Sequence, residues 1–352
     1  MDNNYLNKIL NKARELDASD VHLSTNLSPY VRVQGDIRVL SEFKELSGKS
    51  ILDIALNTMD KYAQETFVKN FQVDYVYSNS NDKSRYRINV FKTHNGISMA
   101  FRQLNIKIPT LEDAGFPEIF KKICSLEKGL VLVCGPTGSG KSTTLATVLD
   151  FINRNFEKHI ITLEDPIEYL HETKKSLIEQ REVGRSVKSF ADGLRSALRE
   201  DPNVIMIGEM RDKETIKMAL TAAETGHLVF STLHTMSASK TIDRIIDSCE
   251  ASEKDLVRSM LSTSLQAIIL QTLFKRSNNI GRIPGFEVLV ATGGIRNMIR
   301  ENKIHQIDSM IQTGFKYGMI TMEDYIAKLI ESGLIDRQDA LSKITKLDDT
   351  KE

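Results

Sequence analysis

The chain carries no surplus of charge, almost no cysteine and no long apolar run, and each absence removes a class of protein. Lysine plus arginine and aspartate plus glutamate number 47 each among 352 residues, so the formal charge is zero. Nucleic-acid binders usually show a basic excess, and none is present here. The three cysteines, Cys124, Cys134 and Cys249, are widely spaced and form no Cys-x-x-Cys pair. They exclude a four-cysteine zinc site and imply no disulfide framework, which leaves buried, reduced thiols. No apolar run approaches the about 18 residues needed to cross a bilayer. The opening Met1-Asp2-Asn3-Asn4-Tyr5-Leu6 lacks the charged-then-apolar order of a signal peptide. A cytoplasmic protein with no transmembrane segment is expected.

What is present suits a folded protein of two domains: 41% of residues are hydrophobic and 27% charged. Residues 5–16 place Leu6, Ile9, Leu10 and Ala13 at helical spacing. Residues 29–33 alternate like a strand, and Gln34-Gly35-Asp36 reads as the turn into a second strand at 37–40. Two more strands are expected at 84–91 and 98–104, around a turn at His94-Asn95-Gly96. Residues 1–104 therefore read as a small α/β domain. Residues 105–117, with Pro109, Gly115 and Pro117, read as the linker.

Beyond the linker, short apolar strands at 130–134, 160–163, 204–207 and 228–232 alternate with helical segments. That order predicts a parallel sheet in a domain spanning 118–352. From about residue 238 to 352 the chain reads as largely helical, with a short extended piece at 285–290 and a polar tail at 348–352.

The first of these strands runs into Gly135-Pro136-Thr137-Gly138-Ser139-Gly140-Lys141-Ser142. This spacing makes a phosphate-binding loop, because glycines let backbone amides turn inward around phosphate oxygens. Lys141 would reach the β- and γ-phosphates of ATP, and Ser142 would hold Mg²⁺. The helix starting near Thr143 points its positive end at the same anion. Hydrolysis also needs groups that orient water and hold the metal. Two strands end in carboxylates, at Glu164 and Glu209, where ligands collect in open α/β sheets. A third strand leads to His234, a candidate sensor of the γ-phosphate.

Together these segments resemble the secretion ATPase superfamily of type II secretion and type IV pilus systems. Its Walker A loop, aspartate box, Walker B strand and histidine box match residues 135–142, 161–169, 201–212 and 225–234 in order. Ala18-Ser19-Asp20-Val21-His22-Leu23 and Val31-Arg32-Val33-Gln34-Gly35 look like its N-terminal domain. The resemblance implies a PAS-like α/β domain followed by a RecA-like ATPase domain with a helical C-terminal part. It makes Glu164 the catalytic glutamate, Glu209 the Walker B acid acting on Mg²⁺, and His234 and His227 the two histidines of the histidine box. It also implies a homohexamer whose ATP sites are completed by arginines of the N-terminal domain. Arg87 and Arg102 are put ahead of Arg85 for that role. The region 105–117 would serve as the hinge.

Within the superfamily the chain is similar to the pilus-retraction branch. It is short, with no extra N-terminal domain expected, and it lacks the four-cysteine insertion of the assembly and export branches. Ile295-Arg296-Asn297-Met298-Ile299-Arg300-Glu301 resembles that branch's A-I-R-N-L-I-R-E motif, with Gly294 in place of alanine and Met298 in place of leucine. The implied partner is a platform protein in the inner membrane, so the ring would dock peripherally at that membrane's inner face, with a paralogous motor as a possible assistant. The alternatives are a pilus-assembly or secretion motor of the same superfamily and a nucleotide-gated regulatory module with little turnover.

Overall fold

The structure is a computed structural model describing residues 3–79, 82–104, 106–278, 281–341 and 343. Asn105 of the expected linker and the expected tail at 348–352 lie outside the described residues. The chain divides into two compact units, Met1–Lys107 with Pro166–Leu170, and Ile108–Asp165 with His171–Glu352.

The first unit contains α1 (Asn3–Glu15), β1 (Asp20–Ser24), β2 (Tyr30–Val33), β3 (Asp36–Val39), α2 (Gly48–Thr58), α3 (Lys61–Asn70), β4 (Gln72–Ser78), β5 (Arg85–Thr93) and β6 (Gly96–Leu104). Its six strands form one antiparallel sheet in the order β3-β2-β1-β6-β5-β4. Leu6, Ile9, Leu10 and Ala13 of α1 are buried with Val21 and Leu23 of β1, as their 3.6- and 2-residue periods require. The β2–β3 turn puts both Gln34 and Gly35 at positive φ, 52° and 97°, which matches the right-handed twist of the two strands. Gly96 turns β5 into β6 at φ 132°, and a Cβ there would lie 2.6 Å from the Thr25 hydroxyl. Ser47 and Asp60 cap α2 and α3 by accepting hydrogen bonds from backbone amides.

The second unit contains α4 (Ile119–Cys124), β7 (Gly129–Cys134), α5 (Lys141–Asn155), β8 (His159–Glu164), β9 (Leu177–Glu182), α6 (Phe190–Ala197), β10 (Val204–Ile207), α7 (Lys213–Glu224), β11 (Leu228–Leu233), α8 (Ala238–Asp247), α9 (Lys254–Ser264), β12 (Leu265–Lys275), β13 (Arg282–Val290), α10 (Gly293–Arg300), α11 (Ile307–Thr313) and α12 (Met322–Glu331). Seven strands form a sheet in the order β13-β12-β7-β11-β10-β8-β9, parallel throughout except for the β12–β13 hairpin. Alternate residues of β7 feed two separate cores, Leu130, Leu132 and Cys134 on one face and Val131 and Val133 on the other. Burial on both faces explains why these strands read as unbroken apolar runs.

Part of the expected linker belongs to this unit. Leu111 is 2% exposed in its core, and Phe116 packs edge-on against Phe286 at 4.9 Å between centroids. The three cysteines are buried free thiols, as expected. The region after residue 238 is helical apart from the β12–β13 hairpin, whose first strand was not anticipated. Leu265 to Leu270 shows no alternation and follows α9 without a glycine or proline, so nothing local marks the change from helix to strand.

Candidate active site

The carboxyl ends of β7, β11, β10 and β8 lie along one edge of the parallel sheet, where Cys134 pairs with Leu233 and Ile207 with Leu163. Whatever follows those residues is therefore gathered at one place. The phosphate loop follows β7, His234 follows β11, Glu209 follows β10, and Glu164 is the last residue of β8.

Three glycines of the loop adopt positive φ, Gly135 at 142°, Gly138 at 78° and Gly140 at 90°. A Cβ on Gly135 would lie 2.3 Å from the Gln271 carbonyl, and one on Gly140 2.8 Å from the Gln271 amide nitrogen. Gln271 is an organising residue that sequence reasoning missed. Its Nε2 donates to the Ser139 carbonyl at 2.8 Å, while its Oε1 accepts from Thr144 at 2.6 Å, so the loop and the first turn of α5 are tied to β12. A polar residue inside an otherwise apolar strand was the available signal. The Ser139 hydroxyl is buried and has no hydrogen-bond partner among the described residues. An unpaired buried hydroxyl costs free energy unless a ligand satisfies it. Together with the glycine cradle and the helix N-terminus, it fits a phosphate chain. Pro136, Thr137, Gly138 and Ser142 are exposed or face the opening, and Thr143 is half-buried behind them.

The Lys141 ammonium lies inside the loop, donating to the carbonyls of Gly135 at 2.9 Å and Pro136 at 3.0 Å. It is also 3.5 Å from Nδ1 of His234. Burial lowers its pKa, against the opposing pull of Cys134 and Glu209. Nε2 of His234 stands 3.3 Å from Glu209 Oε1, and the Arg211 guanidinium contacts the other oxygen of Glu209 at 2.8 Å. Lysine, histidine and Walker B acid thus form one chain of contacts within a single subunit. Ser231 and Thr232 donate to the carbonyls of Ile207 and Gly208, fixing the turn that presents Glu209. Glu164 is 9% exposed, and its Oε1 accepts from Thr162 Oγ1 at 2.7 Å and Gln180 Nε2 at 3.0 Å.

His227 is not brought to this edge. It precedes β11 rather than following it, so the six-residue strand separates it from His234 by about 20 Å. There it bonds locally, with Nδ1 3.0 Å from the Ala222 carbonyl.

The arginines belong to the first unit. Cross-strand register sets Arg87 of β5 directly opposite Arg102 of β6, on the face that also carries Arg85. Like charges so placed repel, and each has an acid beside it. Arg102 pairs with Asp20 at 2.9 Å, and Arg87 with Asp74 at 2.6 Å and Glu168 at 3.7 Å. Arg85 is 7% exposed and donates from both terminal nitrogens to backbone, at 2.6 Å to Glu168 O and 2.9 Å to Ile167 O.

A parallel sheet that presents a phosphate loop, two carboxylates and a histidine at one edge defines a RecA-like P-loop ATPase. More particularly, the chain belongs to the type II/IV secretion system protein family, whose model matches residues 3–282. It is 48% identical over 326 residues to the type IV pilus retraction ATPase PilT of Pseudomonas aeruginosa, covering 93% of this chain and 94% of that one. It is 49% identical over 308 residues to a twitching motility protein of Neisseria gonorrhoeae, covering 88% and 82%. A crystal structure of the pilus retraction motor PilT with bound ADP superposes with a TM-score of 0.85 at 44% identity, covering 95% of both chains. The chain is accordingly an ATPase with a nucleotide as its ligand. No helix among the described residues is long and apolar enough to cross a membrane.

Proposed function

We propose that this protein is the motor that powers type IV pilus retraction, working as a homohexamer at the cytoplasmic face of the inner membrane. The observation that carries the reading is likeness over nearly the whole chain to retraction ATPases, joined to the contact chain of Lys141, His234 and Glu209 at the phosphate loop. The residues fit Mg²⁺-ATP, with Ser142 and Glu209 holding the metal alongside the phosphates. When bound, the metal supplies charge neutralisation on the phosphoryl group.

Lys141 leaves the carbonyls of Gly135 and Pro136 for the β- and γ-phosphates. Glu164 orients the attacking water and accepts its proton. His234 senses the γ-phosphate, and Arg87 and Arg102 supply positive charge to complete the site in the assembled ring. His227, at the opposite end of β11, has its part through the histidine box and not on the nucleotide of its own subunit. The hinge through which hydrolysis changes the angle between domains lies at the start of 105–117, before Leu111 and Phe116 enter the core of the ATPase unit. A platform protein in the inner membrane receives the motion, and a paralogous motor assists.

The test is a deletion strain complemented with wild type or Lys141→Ala. Deletion should leave cells hyperpiliated and non-twitching, wild type should restore retraction, and Lys141→Ala should not, its hydrolysis falling by about 100- to 1,000-fold for a lost phosphate contact of this kind. Bald cells after deletion would instead assign the protein to pilus assembly. Phosphate release below one turnover per site would make it a regulatory module. Equal turnover by monomer and hexamer would refute the shared site.

A further inference from the structure

Arg85 stands in the same row as Arg87 and Arg102, but its environment is different. Arg102 has a 66% exposed side chain and Arg87 a 36% exposed one, and both face carboxylates. Arg85 is buried, and both of its terminal nitrogens are spent on two consecutive backbone carbonyls, those of Ile167 and Glu168. A planar guanidinium donating twice to one peptide stretch fixes the orientation of that stretch as well as its distance.

The stretch concerned begins almost at the site. Glu164 ends β8, Asp165 follows, and Pro166–Leu170 is then counted with the N-terminal unit although the chain on either side belongs to the ATPase unit. Pro166 has its φ fixed by its ring, which stiffens the short connection to Glu164. Tyr169, 8% exposed, anchors the same stretch by its side chain.

We propose that Arg85 is a positioning residue for Glu164: by fixing the backbone at Ile167 and Glu168 it holds, through the stiff Pro166 connection, the chain that leaves the glutamate. The proposal rests on Glu164 being the group that orients the attacking water. Arg87 also reaches this segment through Glu168, at 3.7 Å, but through a half-exposed ion pair. When Arg87 turns to a phosphoryl group, Arg85 keeps its hold on the backbone. The row of arginines thus divides into two that exchange partners and one that does not. Because about 1 Å of misplacement can cost about 100-fold in rate, a loose segment would be felt at the chemical step.

The test uses the full-length hexamer with Arg85→Met, which keeps the apolar length of the side chain, and Arg85→Lys, which keeps one donor. For Arg85→Met we expect kcat to fall about 10- to 100-fold, with ATP and ADP affinities within about twofold of wild type. Amides in 167–170 should exchange faster with solvent while the rest of the chain exchanges as before, and Arg85→Lys should recover part of the rate. In a Glu164→Gln background, Arg85→Met should cost nothing further. Unchanged kcat would overturn the proposal, as would a loss of ATP affinity equal to the loss of kcat, which would make Arg85 a phosphate ligand. If Arg85→Met does not fold, Arg85→Lys decides by the same readouts. Full turnover by Glu164→Gln would overturn the reading of the glutamate itself, and that result does not depend on either Arg85 variant.

Discussion

The edge of the parallel sheet and the arginine row of the antiparallel sheet are two charged surfaces built on opposite terms. At the parallel edge, Lys141 donates to two backbone carbonyls, Glu164 accepts from Thr162 and Gln180, and Glu209 lies between Arg211 and His234. Bonds to backbone and to neutral side chains orient a charge without cancelling it, which suits Lys141 to a phosphate. In the antiparallel sheet, Arg87 and Arg102 are matched by Asp74, Glu168 and Asp20. Those charges are cancelled until something displaces the acids. The contrast teaches that the edge is set by bonds to strand and loop backbone, whereas the arginine row is set by ion pairs that can be exchanged.

The largest effect that would break this comparison lies at Glu164. Glu164→Gln should keep nucleotide binding and lower turnover by about 100- to 10,000-fold, the range for losing a general base. Thr162→Val removes one donor to the carboxylate and keeps the shape, so turnover should fall about tenfold with little change in nucleotide affinity. Single-turnover kinetics with a separate nucleotide-binding titration distinguish the two losses. If Thr162→Val hydrolyses ATP at the wild-type rate, the glutamate is not held as described.

Some of this was legible in the sequence, and the reasons are local. The phosphate loop and the carboxylates Glu164 and Glu209 were readable because each sits where a strand must end. Gln271 was not, because β12 continues α9 with no breaker and its apolar run fits either state. The arginines were readable as a row but not in their roles. Register placed Arg87 opposite Arg102 and brought Asp20 and Asp74 beside them, and no local pattern encodes that. The hold of Arg85 on two backbone carbonyls 82 and 83 residues away is likewise invisible to local pattern. His234 reads as lying past a strand end, while His227 enters only through the resemblance, and the two stand at opposite ends of β11.

A backbone-bound arginine and an exposed one also stand side by side in α10, and they yield the next effect in size. Arg296 donates to the carbonyls of Ala291, Ser262 and Thr263 and to Gln266 Oε1, joining the end of α9 to the start of β12. Arg300, one turn on, is exposed. Ile295 and Ile299, each one residue before these arginines, are buried in the core. Arg296→Ala should therefore destabilise the ATPase unit by about 3 kcal/mol, since several charge-assisted bonds and buried carbonyls lose their partner. Arg300→Ala should leave the thermal midpoint and the hydrolysis rate unchanged and abolish retraction. Equal loss of hydrolysis and retraction in Arg300→Ala would remove any separate mechanical role for that residue.

The smallest effect bears most directly on whether the arginine row is switchable. Exposed ion pairs contribute about 0 to 1 kcal/mol, because water already solvates both charges and salt screens them. Arg87 and Asp74 are 36% and 37% exposed, and Arg102 is 66% exposed beside Asp20, which is 13% exposed. Asp74→Asn should change unfolding free energy by less than about 1 kcal/mol, and Asp20→Asn, at the more buried acid, by about 1 to 2 kcal/mol, both measured by denaturant titration. Because each variant removes one acid beside an arginine, hydrolysis by the hexamer should hold steady or rise by up to about fivefold, the factor that corresponds to about 1 kcal/mol of partner exchange no longer required. Raising ionic strength on the wild-type chain should narrow the difference, since salt weakens the same pairs. A destabilisation of several kcal/mol in either variant would make the acid a structural partner. The row would then be as fixed as Arg85, and the contrast between the two surfaces would fail at the point where the motor depends on it.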